Sequence, residues 1–491
     1  MRRRAAVRTA APGASPGLIE DHGLIGDQRG SALVRRDGFI DWLCMPRFDS
    51  DAVFASILGT AEHGFWHLAP AAYLDGATVP ASCRRYVGDS MVLETWWSTD
   101  AGTATVTDFM VPGGGTPRLV RIVTGLTGQV TVRSLLRARP GYGRTTPRIT
   151  EVGAFTIGAL ADYGYLREAQ AWISWMVAAG AGTPGRRRIM YGVGGERELA
   201  EQELDWLPAY EGSAPVRIGN GAAGQLQIDV YGELADVLYD VALADPGWTR
   251  RIGSVVVGLA TELEKLWDKP DAGIWEVRGP QQHFVHSKIM AWTAFDRAIG
   301  FIERGHAEGP VERWRVLRAA IHAEVCEKGF DDERNTFTQS YGSTELDASL
   351  LHAMLTGFLP ADDKRVIGTV EAVQRELGTD DGLVLRYRTS GDQVGLDGFP
   401  DDESCFLICS GWLAECLALI GRPDEARTVL DSLLAVCNGL GLLAEEYDPV
   451  AGRQLGNFSQ GLSQIGLLGA VRTATADLGG ARGRGESGAR A

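Results

Sequence analysis

Cysteine is scarce in this 491-residue chain and is not arranged for bonding. There are seven, at Cys44, Cys83, Cys326, Cys405, Cys409, Cys416 and Cys437. The number is odd, and no CxxC pair or zinc-type spacing occurs, so neither a disulfide framework nor a zinc module is expected. Reduced thiols in a cytoplasm are the simplest reading. Apolar runs of about 18 residues are also missing, so no membrane span is predicted. The opening MRRRAAVRTAAPGASPG has the arginines of a signal peptide but no apolar stretch behind them, and reads as a disordered leader over 1–17. Positive charge is in deficit, with 48 Lys and Arg against 63 Asp and Glu, a formal net charge of −15. That balance argues against nucleic acid or an anionic membrane as partner and suits a neutral substrate. No metal ligands group together, and no cofactor is expected.

What the chain does have is an ordinary globular composition, 45% hydrophobic and 23% charged, with 13 tryptophans and 12 tyrosines. Its length allows two or more domains. Residues 18–150 carry strand signals: SALVRRDGFIDWL, SMVLETWWST, TATVTDFMV and RLVRIVTGL alternate partially and are punctuated by Asp-Gly, Gly-Gly and Pro-Gly. They predict an antiparallel β-sandwich-like domain, with a hairpin turn at Asp37-Gly38. From about residue 153 to 477 the period becomes helical. Eleven helices are expected, over 153–163, 165–179, 223–243, 247–268, 286–303, 309–328, 346–356, 362–377, 402–420, 423–439 and 457–477. The connections at 181–222, 329–345, 378–401 and 440–456 are long, as functional loops are. Paired helices with alternating long and short links predict hairpins closing into a toroid with the long loops on one face. An open superhelix would need a fixed repeat, and none is seen. The Gly- and Arg-rich 478–491 reads as a disordered tail.

Chemistry concentrates in those loops. In 271–279, DAGIWEVRG, Glu276 follows Trp275. A carboxyl against an indole is desolvated and its pKa rises, which suits a general acid at neutral pH. In most proteins, though, such a pair is a core residue beside a solvated one. The loop 440–456 offers a second acid, Glu445 or Glu446, after the apolar Leu442-Leu443-Ala444; the bland alternative is a charged helix approach. Asn457, Ser459 and Gln460 follow. The stretch 211–233 adds Arg217, Asn220, Gln225, Gln227, Asp229 and Tyr231, a donor and acceptor mixture fit for polyols or simply for capping and ion pairing. Tyr341 and Asp347 lie in TQSYGSTELDAS, and Glu403 in GFPDDE. Two carboxyls in different environments are the minimum for glycoside hydrolysis.

These stretches resemble glycoside hydrolase family 15, which includes glucoamylases, glucodextranases and bacterial trehalases. The similarity runs through IEDHGLIGDQRGSALVRRDGFIDWLCMPRFDSDAVFASILG, SAPVRIGNGAAGQLQIDVYGEL, GIWEVRGPQQHFVHSKIMAW, TQSYGSTELDASLL and LLAEEYDPVAGRQLGNFSQ, in that order. The resemblance implies a β-sandwich followed by an (α/α)6 barrel, and an inverting exo-acting hydrolase of α-glucosides with a trehalose or α-glucan substrate. It implies Glu276 as general acid and Glu445 as general base, with carboxyls ~6.5–9.5 Å apart. It associates Arg217, Trp275, Arg278, Lys288, Tyr341 and Glu446 with the sugar pocket.

The chain departs from the family pattern near 148–155. RARPGYGRTTPRITEV runs directly into GAFTIGALADYGYLREAQAW, without the family's remaining sandwich strands, first barrel helix and a clamp loop similar to NWDYRYCWLRD. Both domains are therefore expected to be incomplete, the barrel by about one helix. An inactive sugar-binding relative is the alternative that this departure raises. Ser459, Gln464 and Gly411 stand where proline, histidine and an aromatic residue are usual.

Overall fold

A computed structural model of the chain describes residues 17–71, 81–112, 117–142, 166–180, 189–192, 195–388 and 404–475. They form two compact units, each treated by itself. The leader up to residue 16, the tail from 476, Glu403, and the helix expected over 153–163 lie outside the described residues.

The first unit contains two antiparallel sheets. One joins β1 (His22–Gly26), β2 (Ser31–Arg35), β3 (Phe39–Cys44), β5 (Phe65–Pro70) and β10 (Val132–Arg137) in that order, with β4 (Ala52–Ala55) on β3. The other joins β6 (Cys83–Tyr86), β7 (Leu93–Thr99), β8 (Gly102–Met110) and β9 (Leu119–Gly128). Inward-facing side chains of both sheets share one core: Ile25, Val34, Ile40 and Phe54 of the first pack with Leu93 and Met110 of the second. Leu68 similarly meets Trp97 and Val106. This is the sandwich that the alternating pattern predicts. The Asp-Gly turn sits between β2 and β3, where Gly38 has φ 89° and a Cβ would lie 2.3 Å from the Leu68 carbonyl oxygen. Only glycine fits there.

The unit also gathers distant segments. Residues 198–221 carry the short ladder of β11 (Gln202–Glu203) and β12 (Arg217–Ile218), and 438–442 return to the sheet. Asn438 donates through Nδ2 to the carbonyls of Glu20 (3.2 Å) and His22 (2.9 Å). Long-range satisfaction of this kind leaves no local periodicity to read.

The second unit is helical: α1 (Leu166–Gly180), α2 (Asp229–Ala244), α3 (Thr249–Leu263), α4 (Val285–Glu303), α5 (Val311–Lys328), α6 (His352–Leu355), α7 (Lys364–Leu377), α8 (Leu407–Leu419), α9 (Pro423–Val436) and α10 (Gly461–Thr475). Alternate helices pack in succession: α2 on α4, α4 on α6, α6 on α8, α8 on α10. The helices between them, α3, α5, α7 and α9, lie outside this row. Side-by-side members two apart in a chain of hairpins run parallel, so the N-termini of α2, α4, α6, α8 and α10 share one end. Among the described residues, the connections before α4, α6 and α10 enter that end. The inner position explains the composition: every residue from Val285 to Ile299 in α4 is buried, and so are Leu407 to Ala414 in α8. Helices buried on all sides need neighbours on all sides, and α4 takes even Lys288, Asp296 and Arg297 inside.

Several expected helices are shorter, for identifiable reasons. Residues 223–228 do not continue α2; the main-chain N–H of Ile228 is taken by the Asp271 carboxylate (2.9 Å) instead. The segment 346–356 is a 3-10 turn, Ala348–Leu351, running into α6, with Asp347 as its cap. Residues 405–406 and 457–458 belong to a three-stranded sheet, β15 (Cys405–Phe406), β16 (Ala444–Asp448) and β17 (Arg453–Phe458). The stretch expected as the loop 440–456 is therefore largely a hairpin. Two-residue strands Phe330–Asp331 and Thr336–Phe337 (β13 and β14) close a smaller one.

Inner helices touch main chain to main chain at glycines. A Cβ on Gly232 would lie 2.1 Å from the Met290 carbonyl oxygen, and one on Gly411 2.5 Å from that of Gly466. The aromatic residue usual at 411 has no room here. Among the described residues no helix is long and apolar enough to cross a membrane, and no group of three or more His, Cys, Asp or Glu side chains could hold a metal ion. Forcing a side chain into these crossings strains the packing by about 1–3 kcal/mol. Gly232→Val is expected to lower the urea-unfolding free energy by about that amount, while Gly258→Val on α3, where a Cβ meets nothing within 4 Å, changes it by less than ~0.7 kcal/mol.

Candidate active site

The 271–277 loop enters α4 and is pinned from several sides. Asp271 pairs with Gln282 through both main-chain bonds (2.9 Å each), and Ala272 N–H donates to the Leu226 carbonyl (2.9 Å). Gln225 Nε2 donates to the carbonyls of Glu276 (3.2 Å) and Val277 (3.1 Å). Gly273 has φ 68° and faces the Phe284 ring at 2.8 Å from a would-be Cβ, which requires glycine twice over. Glu276 itself has φ 55°. A glutamate in the left-handed region costs ~1–2 kcal/mol and persists only where its surroundings impose it.

Trp275 is half-buried and fixed by a bifurcated bond: its Nε1–H donates to both carboxylate oxygens of Asp347, at 3.0 and 2.9 Å. Its ring meets Phe406 edge-on (centroids 5.6 Å, 72°) and Trp412 at 6.1 Å. Arg386 lies over the same ring, its Cζ 5.6 Å from the centroid, and over Phe406 at 5.3 Å. Behind Trp412, His352 and His286 stack edge to face, and burial keeps both imidazoles neutral.

Glu445 sits in β16 at an irregularity. Its neighbours Ala444 and Glu446 pair with Phe458 and Leu455, so Gly456 and Asn457 together oppose Glu445, and the extra residue of this β-bulge lies on β17. Bulges redirect side chains. One carboxylate oxygen, Oε2, accepts from Asn457 main-chain N–H (3.1 Å) and Nδ2 (2.8 Å). Gly456, with φ 73°, leaves room for that oxygen, since a Cβ there would lie 2.8 Å from it. Glu446 pairs across the strand with Phe406. Phe406 therefore joins the two acid-bearing segments: its backbone pairs with Glu446 and its ring with Trp275.

The other expected pocket residues fall differently. Lys288 is fully buried, and its ammonium donates to the carbonyls of Trp267 (2.5 Å) and Lys269 (2.7 Å). It anchors the base of the Glu276 loop, and burial lowers its pKa to about 8 despite Asp271 nearby. Tyr341 stacks on His283 (5.7 Å, 18°) beneath the Lys328 ammonium (5.8 Å), and burial raises its phenol pKa. Arg278 is exposed. Arg217 belongs to the first unit, where Glu201 (3.4 Å) and Glu203 (3.1 Å) pair with it. Arg386, Phe406 and Trp412 were not singled out by sequence. The Arg-Tyr-Arg run at 386–388, just before a Gly- and Asp-rich loop, is the signal that could have found the first.

Below the site, Asp229 and Glu233 of α2 and Asp271 form a buried acidic group. Burial raises all three carboxyls, Glu233 to about 7 and Asp271 to about 6, with mutual repulsion adding to the rise at Asp229.

Two carboxyls on separately fixed segments, Glu276 before α4 and Glu445 in β16, agree with the pair that glycoside hydrolysis requires. The chain belongs to the glycosyl hydrolases family 15, whose family model matches residues 153–472, and a trehalase-like N-terminal model matches 5–157. Among its relatives is a trehalase of Mycolicibacterium smegmatis, 32% identical over 615 residues, covering 92% of this chain and 90% of the relative. A trehalase of Mycobacterium tuberculosis is 43% identical over 320 residues, 65% of this chain and 46% of the relative. One of Thermoplasma volcanium is 38% identical over 70% of this chain and 54% of the relative. The chain thus spans about half the length of the latter two relatives. A bacterial glucoamylase crystallised with acarbose shares the fold at 9% identity, TM-score 0.65, with 96% of each chain covered. A glycosidase variant solved with glucose matches at TM-score 0.51 and 20% identity, over 65% of this chain and 86% of that one.

This geometry has two measurable consequences. Glu276→Gly is expected to be ~1 kcal/mol more stable than Glu276→Ala, because glycine relieves the left-handed backbone and alanine does not; chemical denaturation of the pair measures it. The raised carboxyls bind protons in the folded state that the unfolded chain has released. Their stabilisation is complete below the unfolded pKa, near 4, and is lost as pH rises through about 6–7. Glu233→Gln should therefore raise the thermal midpoint at pH 8, with the gain vanishing at pH 4.

Proposed function

We propose that the chain is an inverting exo-acting hydrolase of α-glucosides in the cytoplasm, with trehalose as the preferred substrate. The observation that carries it is the Phe406 link: one residue ties the segment of Glu276 to that of Glu445, within the motifs the family shares. Glu276 acts as general acid, protonating the glycosidic oxygen. Glu445, its Oε2 oriented by Asn457, acts as general base on water at the opposite face of the sugar. Trp275 and Tyr341 supply rings and Arg278 and Glu446 polar contacts to the sugar, with Lys288 fixing the loop from beneath. The choice of trehalose over an α-glucan rests on the relatives, which are named trehalases, and on the trehalase-like N-terminal match.

A second reading, a sugar-binding relative without turnover, is favoured by length. The 615-residue alignment with the mycolicibacterial trehalase exceeds the 491 residues of the entire chain, so over a hundred of its positions have no counterpart here. The inner row has five members among the described residues, and the edge strands β9 and β10 expose Ile122, Val123, Leu126 and Leu136. All three agree with a sandwich and barrel that lack a segment near their junction.

The deciding experiment incubates the purified chain with trehalose, maltose and starch and follows glucose and its anomer by NMR. Release of β-glucose from trehalose is expected, reduced 10²–10⁴-fold in both Glu276→Gln and Glu445→Gln. Undiminished release in the two variants sinks the assignment. Saccharide binding by calorimetry with no release selects the second reading.

A further inference from the structure

We infer that Asp347 is a positioning residue for the reaction, acting on the general acid through the indole of Trp275. The inference rests on the proposed hydrolase reading and deepens it. Asp347 precedes the 3-10 turn that leads into α6, so it belongs to a different inner helix from the one the acid loop enters. It is 2% exposed. Four bonds from neutral N–H groups fill its two oxygens. Oδ1 accepts from Ser349 N–H (2.8 Å) and Trp275 Nε1–H (3.0 Å). Oδ2 accepts from Trp275 Nε1–H (2.9 Å) and Gln339 Nε2–H (3.2 Å). An isolated bridge also pairs its main chain with Tyr387. The carboxylate is therefore rigid before it touches the tryptophan.

The tie matters because the next residue in the chain is the acid. Trp275 is bonded directly to Glu276, whose backbone is held at φ 55° in a tight turn, with Val277 N–H returning to the Ala272 carbonyl (3.2 Å). In such a turn the direction of the indole and the direction of the next side chain are set together. The ring is further boxed by Phe406, Trp412 and Arg386, so it can settle only where all these contacts are met. Releasing the N–H would let the ring turn in this box and carry the acid with it. A misplacement of about 1 Å is enough to cost ~10²-fold in rate.

Capping of the 3-10 turn is the competing role, and chemistry separates the two. An asparagine keeps Oδ1 for Ser349 N–H but replaces Oδ2 by an NH2, a donor facing the donors of Trp275 and Gln339. Asp347→Asn thus preserves the cap and weakens the indole tie, which keeps only its Oδ1 limb against an opposing NH2. Trp275→Phe removes the N–H and leaves the cap untouched.

The test measures trehalose hydrolysis in wild type, Asp347→Asn, Trp275→Phe and the double variant. Asp347→Asn is expected to lower kcat 10–100-fold with KM changed less than threefold, and to cost less than twofold further once Trp275 is phenylalanine. An equal loss in both backgrounds assigns Asp347 to the fold alone and overturns the inference, as does no loss in either. A second arm does not depend on turnover. In the spectrum of the 15N-labelled indoles, the Trp275 resonance, identified by its disappearance in Trp275→Phe, should move more than any other in Asp347→Asn. If it stays in place the tie does not exist. A wild type that binds but does not hydrolyse trehalose defeats the reading of the reaction, and Asp347's kinetic consequence with it, whereas the indole spectrum still decides the tie.

Discussion

A helix that is apolar on every side cannot lie on a surface, and the helical unit is arranged around that constraint. α4 and α8 are buried along nearly their whole length. Each can be covered only by two inner neighbours and by helices from outside, so the chain alternates between an inner and an outer position. The close crossings at Gly232 and at Gly411 with Gly466 let the inner helices approach without side chains between them. Some of the polar groups that enter this interior are satisfied there. Arg297 of α4, for example, is bonded to Asp236 (2.8 Å), Asp296 (2.6 Å) and the Thr356 carbonyl (2.7 Å). Alternation puts the N-termini of the inner helices at one end, and that is why distant loops meet.

At that end the two acids share a property. Neither has regular backbone around it: Glu276 is in a left-handed turn and Glu445 faces the two-residue bulge of β17. Regular strand or helix would fix their directions by period alone. Departure from it lets each carboxyl be aimed independently, at the expense of several specific contacts. Gln225 and Asp347 hold the first segment, and Asn457 and Gly456 accommodate the second. The buried acids Asp229, Glu233 and Asp271 lie directly beneath, so the loop that carries the proposed acid is also sensitive to proton binding.

Much of this was legible in sequence. The Asp37-Gly38 turn, the change of period between β10 and α1 and the helices α4, α5 and α9 come from local chemistry: a left-handed turn residue, a 3.6 spacing, a proline with acids in the first turn. The proposed acid and base, Glu276 and Glu445, were named from the motifs that carry them. The departures from expectation have a common cause. Residues 223–228 look helical but give a backbone N–H to Asp271, forty-three positions away. Residues 457–458 look like a helix start but pair in a hairpin. Lys288 looks like a pocket cation but is consumed by two carbonyls under the loop.

The sequence by itself determined the two kinds of unit, their order and the acids on which the proposed chemistry depends, because periodicity, turn residues and motifs are local properties of a chain. Only the tertiary structure decided which partner each polar group takes. Asp347 on the Trp275 indole, Asn457 on Glu445 and Phe406 between the two acid segments join residues at least 12 positions apart in sequence. Such contacts are fixed by how buried helices must pack, and no local pattern encodes them.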